Sequence, residues 1–260
     1  MNTQKNLGRT SVLSLFLAIA AVVTFPAVVP ARPPALMYAD NEAASARPRS
    51  ANASAFAPDK GTFRILVNGQ QVGKEDFEVA SDGSNWTVHG NTEIGSGKTA
   101  THITGALTLG PDGTPIHYEW STEGSKKASA KVDFAGSTAT IELSVAPPGV
   151  DPAKAHPFTQ QFTFPSAQIA VLDNNLYDQF AILADLYDWN KKGAQTFPVL
   201  VPQELIPGSA TVESMGRQEF NGKKFDELRV TTQDNEIDLY LDHSRLMAIS
   251  VPSANAEILR

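Results

Sequence analysis

Alternation of apolar and polar residues dominates the chain from Gly61 onward and constrains its fold more than any other feature. Phe63, Ile65 and Val67 alternate with polar positions and are followed by Asn68-Gly69, a pair typical of tight hairpin turns. The pattern then repeats with turn residues about every 8–12 positions through the first half of the domain. Because side chains of a strand point alternately to its two faces, it predicts a seven-strand antiparallel meander with one apolar and one solvated face.

One later segment has helical spacing instead. Leu176, Phe180, Leu183 and Tyr187 recur at three- and four-residue intervals. This spacing predicts one amphipathic helix over about residues 173–192. The predicted cap is Asp173 or Asn174, and the predicted end is Lys191, Lys192 and Gly193.

The rest of the second half alternates again. A strand at 197–201 is flanked by prolines, which favours a position at the sheet edge. About a dozen strands in one sheet do not stay open and flat. The sequence therefore predicts a mainly β fold: a strongly curved antiparallel sheet or partial barrel, with the helix packed against its concave, apolar side. The other predicted strands are 158–164, 210–220, 224–231, 236–241 and 246–251.

The first 31 residues have the pattern of an export signal. Lys5 and Arg9 precede an apolar run over 12–23, and small residues with two prolines lead to a cleavage point after Ala31. An uncleaved anchor is the alternative, because the chain carries no charge from residue 11 to 31, a length sufficient to span a membrane. We expect a periplasmic or secreted protein of the bacterial envelope, with membrane contact only if the signal is uncleaved.

Residues 32–60 are rich in Ala, Pro and Ser and show neither strand nor helix periodicity, which predicts a disordered spacer. A single β-rich domain is then expected over 61–260. The chain has no cysteine, so disulfides, thiol catalysis, thiolate metal sites and a lipoprotein anchor are excluded. Removing the two positive charges of Lys5 and Arg9 from the total of -7 leaves -9 for residues 32–260. That charge argues against a nucleic-acid partner.

Two short motifs resemble catalytic ones. Gly95-Ser96-Gly97-Lys98-Thr99 has part of a phosphate-binding loop, but Thr92 occupies the position of the first glycine and no helix is predicted to follow. Asp242-His243-Ser244 has the residue types of a hydrolase triad, yet adjacent side chains diverge and cannot stack. Both motifs are predicted to be hairpin turns.

Histidines on the polar face offer a metal site only in one strand register. If His102 lies opposite Asn91, then His89 and Glu93 are its diagonal neighbours, about 7–8 Å away, and the three could bind a metal. We expect solvated side chains instead, and therefore no metal and no cofactor. A metal-dependent enzyme using these residues is the least favoured functional alternative.

Aromatic and apolar residues on core positions suggest a ligand pocket. Tyr118, Trp120, Phe180 and Leu183 are the predicted lining, with the helix as a lid; the alternative is a filled core. We expect a non-enzymatic protein that binds an apolar small molecule, a lipid or another envelope component. The main alternative is an accessory or scaffolding domain that pairs an edge strand near Phe197 with an envelope protein.

Both ends of the domain resemble a known family. The segment 61–77 contains Val72-Gly73-x-Glu75 followed by Phe77, and the chain ends with Ile237-x-Leu239-Tyr240-Leu241-Asp242 and an apolar run at 246–249. These segments resemble the uncharacterised exported antiparallel-β domains of bacterial envelopes, which occur alone or ahead of α/β-hydrolase domains. The domain is more remotely similar to the half-barrels of lipoprotein-carrier proteins. That likeness implies a concave apolar face for acyl chains and no catalytic residue.

Overall fold

The computed structural model describes residues 56–124, 127–146, 157–191 and 193–260. The predicted export signal lies outside the described residues, as does the predicted spacer up to residue 55. Ordered structure already precedes the predicted domain boundary at Gly61. Asp59 starts the first strand, and Phe56 is buried with its ring centroid 5.8 Å from that of Trp86.

The described residues form fifteen strands and one α-helix. In chain order these are β1 (Asp59–Val67), β2 (Gln70–Ser81), β3 (Trp86–Ile94), β4 (Thr101–Leu109), β5 (Pro115–Glu123), β6 (Lys127–Ala135), β7 (Thr138–Ala146), β8 (Phe158–Thr163), β9 (Ala170–Val171), α1 (Asp178–Leu186), β10 (Gln195–Val201), β11 (Ile206–Phe220), β12 (Lys223–Thr231), β13 (Glu236–Asp242), β14 (Arg245–Val251) and β15 (Ala256–Leu259).

All fifteen strands belong to one open sheet that consists of two meanders. β1 and β15 pair at the centre; the first meander runs from β1 out to β8, and the second runs from β15 back to β9. Neighbouring strands are antiparallel except β9 and β10. The predicted mainly antiparallel β architecture is confirmed, including the seven-strand meander β1–β7.

The predicted alternation gives the sheet two different faces. We call the face that carries Tyr118, and on which α1 packs, the helix face; the opposite one is the outer face. On β4, Ile103, Leu107 and Leu109 are buried on the helix face, whereas the side chains between them are exposed or half-buried. A single apolar layer therefore spans the sheet beneath α1.

The helix is shorter than predicted. It runs from Asp178 to Leu186, not over about 173–192. Asn175 has φ +63°, a left-handed conformation that no α-helix contains, and the Asp173 carboxylate accepts hydrogen bonds from other segments instead of capping the helix. The backbone of Tyr187 is extended and ends the helix before Lys191.

The strand at 197–201 was predicted to be a sheet edge, and this prediction is wrong. β10 is the penultimate strand, because the short β9 pairs with Val199 and Leu200. The two strands that were not predicted, β9 and β15, have two and four residues, too few to show a period. The edges of the sheet are therefore β8 and β9.

A short connection joins these two edges. Only residues 164–169 separate the end of β8 from the start of β9. Seven residue steps of extended chain reach at most about 25 Å, whereas fourteen strand spacings of about 4.8 Å would make a flat sheet about 67 Å wide. The connection then leads directly into the segment that crosses the helix face, residues 172–187. No helix in the described part of the chain is long and apolar enough to cross a membrane.

Two paired glycines allow that segment to approach the sheet. Gly90 and Gly105 are cross-strand partners on β3 and β4. A Cβ atom at Gly105 would lie 2.7 Å from Leu176 Cδ1, and one at Gly90 would lie 2.8 Å from Glu75 Oε1 and 2.9 Å from Asp178 Oδ2. A larger residue at either position would force these buried side chains to shift.

We expect Gly90→Ala to lower the free energy of unfolding by about 1–3 kcal/mol, because the added methyl group overlaps two buried carboxyl groups. Urea unfolding followed by circular dichroism measures this change. The matched control is Gly208→Ala on β11, where an added Cβ would meet nothing within 4 Å. Equal effects of the two substitutions would contradict the close approach at Gly90.

Candidate functional site

The carboxyl group of Glu75 links the start of the helix to the sheet by hydrogen bonds. It lies on the helix face of β2 and is fully buried. Its Oε2 accepts the backbone N–H of Tyr177 at 2.8 Å, and its Oε1 accepts that of Asp178 at 3.2 Å. These N–H groups belong to the first turn of α1, which has no side-chain cap of its own. A carboxyl group from a distant strand thus caps the helix.

Asp178 lies against Glu75, and the two carboxyl groups are hydrogen-bonded to each other. Burial raises the pKa of Glu75 well above its usual range, and the charge of Asp178 raises it further. Burial also raises the pKa of Asp178 to about 6, against the lowering effect of its hydrogen bond with Glu75. Two buried carboxylates in contact cannot both ionise without strong repulsion, so near neutral pH the pair holds one proton.

A second buried carboxyl group joins three segments. Asp173 Oδ2 accepts the Tyr118 hydroxyl at 2.8 Å, and its Oδ1 accepts the backbone N–H of Gln203 at 2.8 Å. Gln179 of α1 donates to the same Tyr118 oxygen at 3.2 Å. Burial raises the pKa of Asp173 to about 7, although the hydrogen bonds that its carboxylate accepts from Gln203 and Tyr118 lower it. The nearby carboxylate of Glu204 adds to that rise.

Four buried polar atoms in this region have no hydrogen-bond partner among the described residues. They are Trp120 Nε1, Asn174 Oδ1, Asp178 Oδ1 and Glu204 Oε2. A buried polar group without a partner costs about 1–3 kcal/mol, and such groups in folded proteins usually contact water or a ligand. One donor and three acceptors are therefore available at the junction of the sheet and the segment 172–187.

The four residues predicted to line a pocket all lie in the layer between sheet and helix. Tyr118 and Leu183 are fully buried, Phe180 is 2% exposed and Trp120 is 6% exposed. They belong to one continuous apolar cluster. The structure thus brings the predicted residues together, at a place where the helical segment covers them.

Towards β8, no described element covers the apolar layer as α1 does near the centre of the sheet. One cross-strand row on the helix face leads from the glycine pair to the edge of the sheet, and its members are Gly105, Trp120, Ala130, Leu143 and Phe158. Ala130 is buried and Leu143 is half-buried, but Phe158 is 55% exposed. Val145 on β7, on the same face, is 53% exposed. We call Leu143, Val145 and Phe158 the apolar rim.

The outer face carries polar depressions. One of about 610 Å³ lies over the glycine pair, and His89, Asn91, Glu119 and Lys131 are among its lining residues. A second, of about 660 Å³, lies near the β3–β4 connection. Both depressions are open to solvent, and the residues that line them are mostly those expected on the solvated face of a sheet.

The strand register removes the predicted histidine cluster. His102 pairs with Glu93, not with Asn91, so the register differs by two residues from the one that the metal site required. His89 pairs with Ala106 and lies four residues from Glu93 along β3, about 13 Å away. The described residues contain no group of three or more His, Cys, Asp or Glu side chains that could hold a metal ion.

Both catalytic-looking motifs are turns, as predicted. Gly97–Thr99 forms a single 3-10 turn between β3 and β4. His243 and Ser244 have φ values of +50° and +70° in the connection of β13 to β14, which is typical of a tight hairpin.

Sequence reasoning missed the buried carboxyl groups as site residues. Glu75 carried a signal, because it shares the core-facing positions of β2 with Phe77 and Val79. A charged residue on a core position is unusual. Asp173 had been assigned a local capping role, and Glu204 showed no pattern. Comparison with protein-family models, with curated proteins and with solved structures found no match to the chain.

The raised pKa of Asp173 predicts a pH dependence of stability. A carboxyl group whose pKa rises on folding binds its proton more tightly in the folded protein, so it favours folding at acid pH. This contribution is lost as the pH rises from 3.8, the ordinary value, through about 7. Asp173→Asn has no such proton. Between pH 5 and pH 8 we therefore expect the free energy of unfolding of this variant to fall by about 2 kcal/mol less than that of the wild type.

Chemical denaturation at several pH values measures this difference. Asp82→Asn is the matched control, because Asp82 lies in an exposed turn and its pKa is lowered by backbone N–H donors, so it is already ionised at pH 5. Parallel pH profiles for Asp173→Asn and the wild type would contradict a raised pKa at Asp173.

Proposed function

We propose that the protein is a non-enzymatic binding protein that holds an apolar ligand, a lipid or another apolar envelope component on the helix face of its sheet. The observation that carries this proposal is the apolar rim. Leu143, Val145 and Phe158 continue the buried layer of the sheet but lie outside the cover of α1. Exposed apolar residues continuous with a core are typical of surfaces that bind a ligand or a partner.

Buried Trp120 connects this rim to the region under the helix. It lies between Gly105 and Ala130 in the row that ends at Phe158. A ligand that enters over the rim would first cover Phe158 and Leu143 and then reach the Trp120 indole. Tyr118, Phe180 and Leu183 lie deeper, and they would contact the ligand only if the segment 172–187 moved outward.

The contacts of that segment support its role as a cover. Leu176, Phe180 and Leu183 are buried against the helix face, so outward movement would expose their apolar surface. Glu75 accepts backbone N–H groups at the start of the helix, and burial raises the pKa of this carboxyl group well above its usual range. The segment is therefore held by apolar packing together with buried hydrogen bonds.

Curvature of the sheet is part of this proposal. β9 is the strand at one end of the sheet. Asp173, two residues after β9, accepts a hydrogen bond from the hydroxyl of Tyr118 on β5, near the other end of the sheet. The connection 164–169 also limits the distance between the two edges at that point to about 25 Å. Both observations support a sheet that bends around the segment 172–187, with the helix face on its concave side. The export pattern of residues 1–31 supports a site of action in the periplasm or outside the cell.

Binding of an apolar probe tests the proposal. We expect delipidated protein to bind the uncharged dye N-phenylnaphthylamine with a rise in fluorescence, and Phe158→Ser to weaken this binding about tenfold, because a large apolar contact is lost. The matched control is Met215→Ser on β11, which removes a 38% exposed apolar side chain away from the rim. Absence of dye binding, together with absence of lipid in native mass spectra of untreated protein, would overturn the proposal.

A scaffolding role is the second candidate, and one observation favours it. β8 (Phe158–Thr163) is a sheet edge without a charged residue or a proline, and four of its six residues are exposed. Natural edge strands usually carry charges or prolines that prevent pairing with other chains. This strand, and not the predicted one near Phe197, is the edge best suited to pair with a strand of an envelope protein.

Charges on the edge strand test this candidate. In the double variant Thr159→Lys/Gln161→Lys we expect loss of any partner that wild-type protein captures from envelope extract, because lysines on an edge strand oppose strand addition. Dye binding should stay unchanged, since both positions face away from the helix face. Capture of the same partner by wild type and variant would contradict pairing through β8.

A further inference from the structure

The deep end of the proposed ligand site has polar atoms of both hydrogen-bonding types. Trp120 Nε1 is a buried donor without a partner, in a side chain that is 6% exposed. Glu204 Oε2 and Asn174 Oδ1 are buried acceptors without partners. A ligand that fills this place must therefore accept one hydrogen bond and donate at least one.

Several contacts bring these atoms to one region of the helix face. Asn174 Nδ2 donates to Glu204 Oε1 at 2.7 Å, which places the two acceptors beside each other. Asn174 follows Asp173, whose carboxylate accepts the hydroxyl of Tyr118. Trp120 is two residues from Tyr118 on the same strand face, about 7 Å away along the strand.

The turn that carries Glu204 supports the same placement. This turn, Pro202–Glu204, packs against β6. Ala130 of β6 is the cross-strand partner of Trp120. Both unpaired acceptors therefore lie on the helix face near β5 and β6, the strands that carry Trp120 and Ala130.

Charge restricts the kind of head group. The carboxyl groups of Asp173 and Glu204 lie close enough for one to raise the pKa of the other, and Glu75 and Asp178 form a second pair nearby. Among the described residues, none of these four carboxyl groups has an ion pair with a lysine or arginine. A phosphate or carboxylate head group beside these carboxyl groups would be repelled by their negative charge and lose its hydration.

We propose that the site takes a neutral long-chain amphiphile whose head group is an alcohol, such as a monoacylglycerol. This inference rests on the proposed function and specifies its ligand class. The hydroxyl oxygen accepts the hydrogen bond of Trp120 Nε1, and the hydroxyl hydrogen is donated to Glu204 Oε2 or Asn174 Oδ1. The second hydroxyl of a glycerol head group satisfies the other acceptor. The chain follows the row from Trp120 to Phe158, across three strand spacings or about 14 Å.

An ammonium head group fits these atoms less well. It donates hydrogen bonds to the two acceptors, but it has no lone pair for the Trp120 N–H, which would stay unpaired and face a positive charge. A pure hydrocarbon leaves all three atoms without partners. The alcohol is the simplest group that satisfies donor and acceptors together.

Displacement of N-phenylnaphthylamine by ligands with one chain and different head groups tests the inference. At mildly alkaline pH, above the pKa of about 7 of Asp173, we expect monooleoylglycerol and oleyl alcohol to displace the dye at concentrations about tenfold lower than oleate. Oleylamine should be weaker than oleyl alcohol. Equal displacement by all head groups would overturn the inference and leave the proposed function standing, because a bound water molecule would then account for the unpaired atoms.

Tighter binding of oleate or oleylamine than of oleyl alcohol would also overturn the inference. Displacement by none of the four ligands, with dye binding also absent, would instead overturn the proposed function itself. The two failures are therefore distinguishable in one experiment.

Variants identify the atoms involved. Trp120→Phe keeps the apolar contact and removes the N–H donor, so we expect oleyl alcohol to bind about three- to tenfold more weakly and octadecene, which has no head group, to bind as before. The matched control is Trp86→Phe, a buried tryptophan of the same face that packs on Phe56 far from the rim. An equal loss of oleyl alcohol affinity in both variants would contradict a role for the Trp120 N–H.

Glu204→Gln gives an independent result if Trp120→Phe does not fold. It replaces the carboxylate that carries the unpaired Oε2 by a neutral amide of the same shape, so we expect the preference for oleyl alcohol over oleate to fall by about three- to tenfold. Circular dichroism confirms that each variant is folded before binding is measured. An unchanged preference in Glu204→Gln would remove this carboxylate from the site.

Discussion

The short connection between the two edges of the sheet is the constraint on which the remaining structure depends. Residues 164–169 take the chain from β8 to β9, from the first strand of a fifteen-strand sheet to the last. So few residues limit the distance between the end of β8 and the start of β9 to about 25 Å, and they lead directly into the segment 172–187, which packs on the apolar layer. Without this connection, the two meanders that begin at β1 and β15 would share only their central pairing, and the helix face would have no cover.

That cover is held by apolar core packing and, in addition, by buried hydrogen bonds. The glycine pair at Gly90 and Gly105 leaves room for Leu176, and the carboxyl groups of Glu75 and Asp173 bind the backbone of the segment and of the turn beside it. Each carboxyl group is buried, so each contact combines strong hydrogen bonds with a desolvation cost that depends on protonation. These directional contacts therefore specify one position of the segment on the sheet. The unpaired atoms beside it and the exposed apolar rim are the basis for the proposed ligand site.

Much of the fold could be predicted, because antiparallel strands with one solvated face show apolar and polar residues that alternate with a period of two. The register could not be predicted to the residue: the β3–β4 pairing differs by two residues from the one needed for a metal site at His89, Glu93 and His102. A shift of two keeps every side chain on its face, so the hydrophobic pattern does not detect it. The site was predicted only for its apolar members, such as Tyr118 and Trp120. Glu75 and Asp173 acquire their roles from partners about thirty to a hundred residues away, which no local pattern contains.

The sequence by itself determined the position of all strands except the short β9 and β15, the apolar face of the long strands, and the absence of thiol chemistry. These properties depend on side-chain type and spacing alone. Only the tertiary structure decided where α1 begins, because Asn175 and the side chain of Glu75, not a local cap, set its first turn. It also decided which edge of the sheet is free, which polar atoms remain unpaired, and where the apolar layer is uncovered. Those features arise where segments distant in the chain meet. The contacts that stabilise them join these segments, so the local sequence of either segment does not predict them.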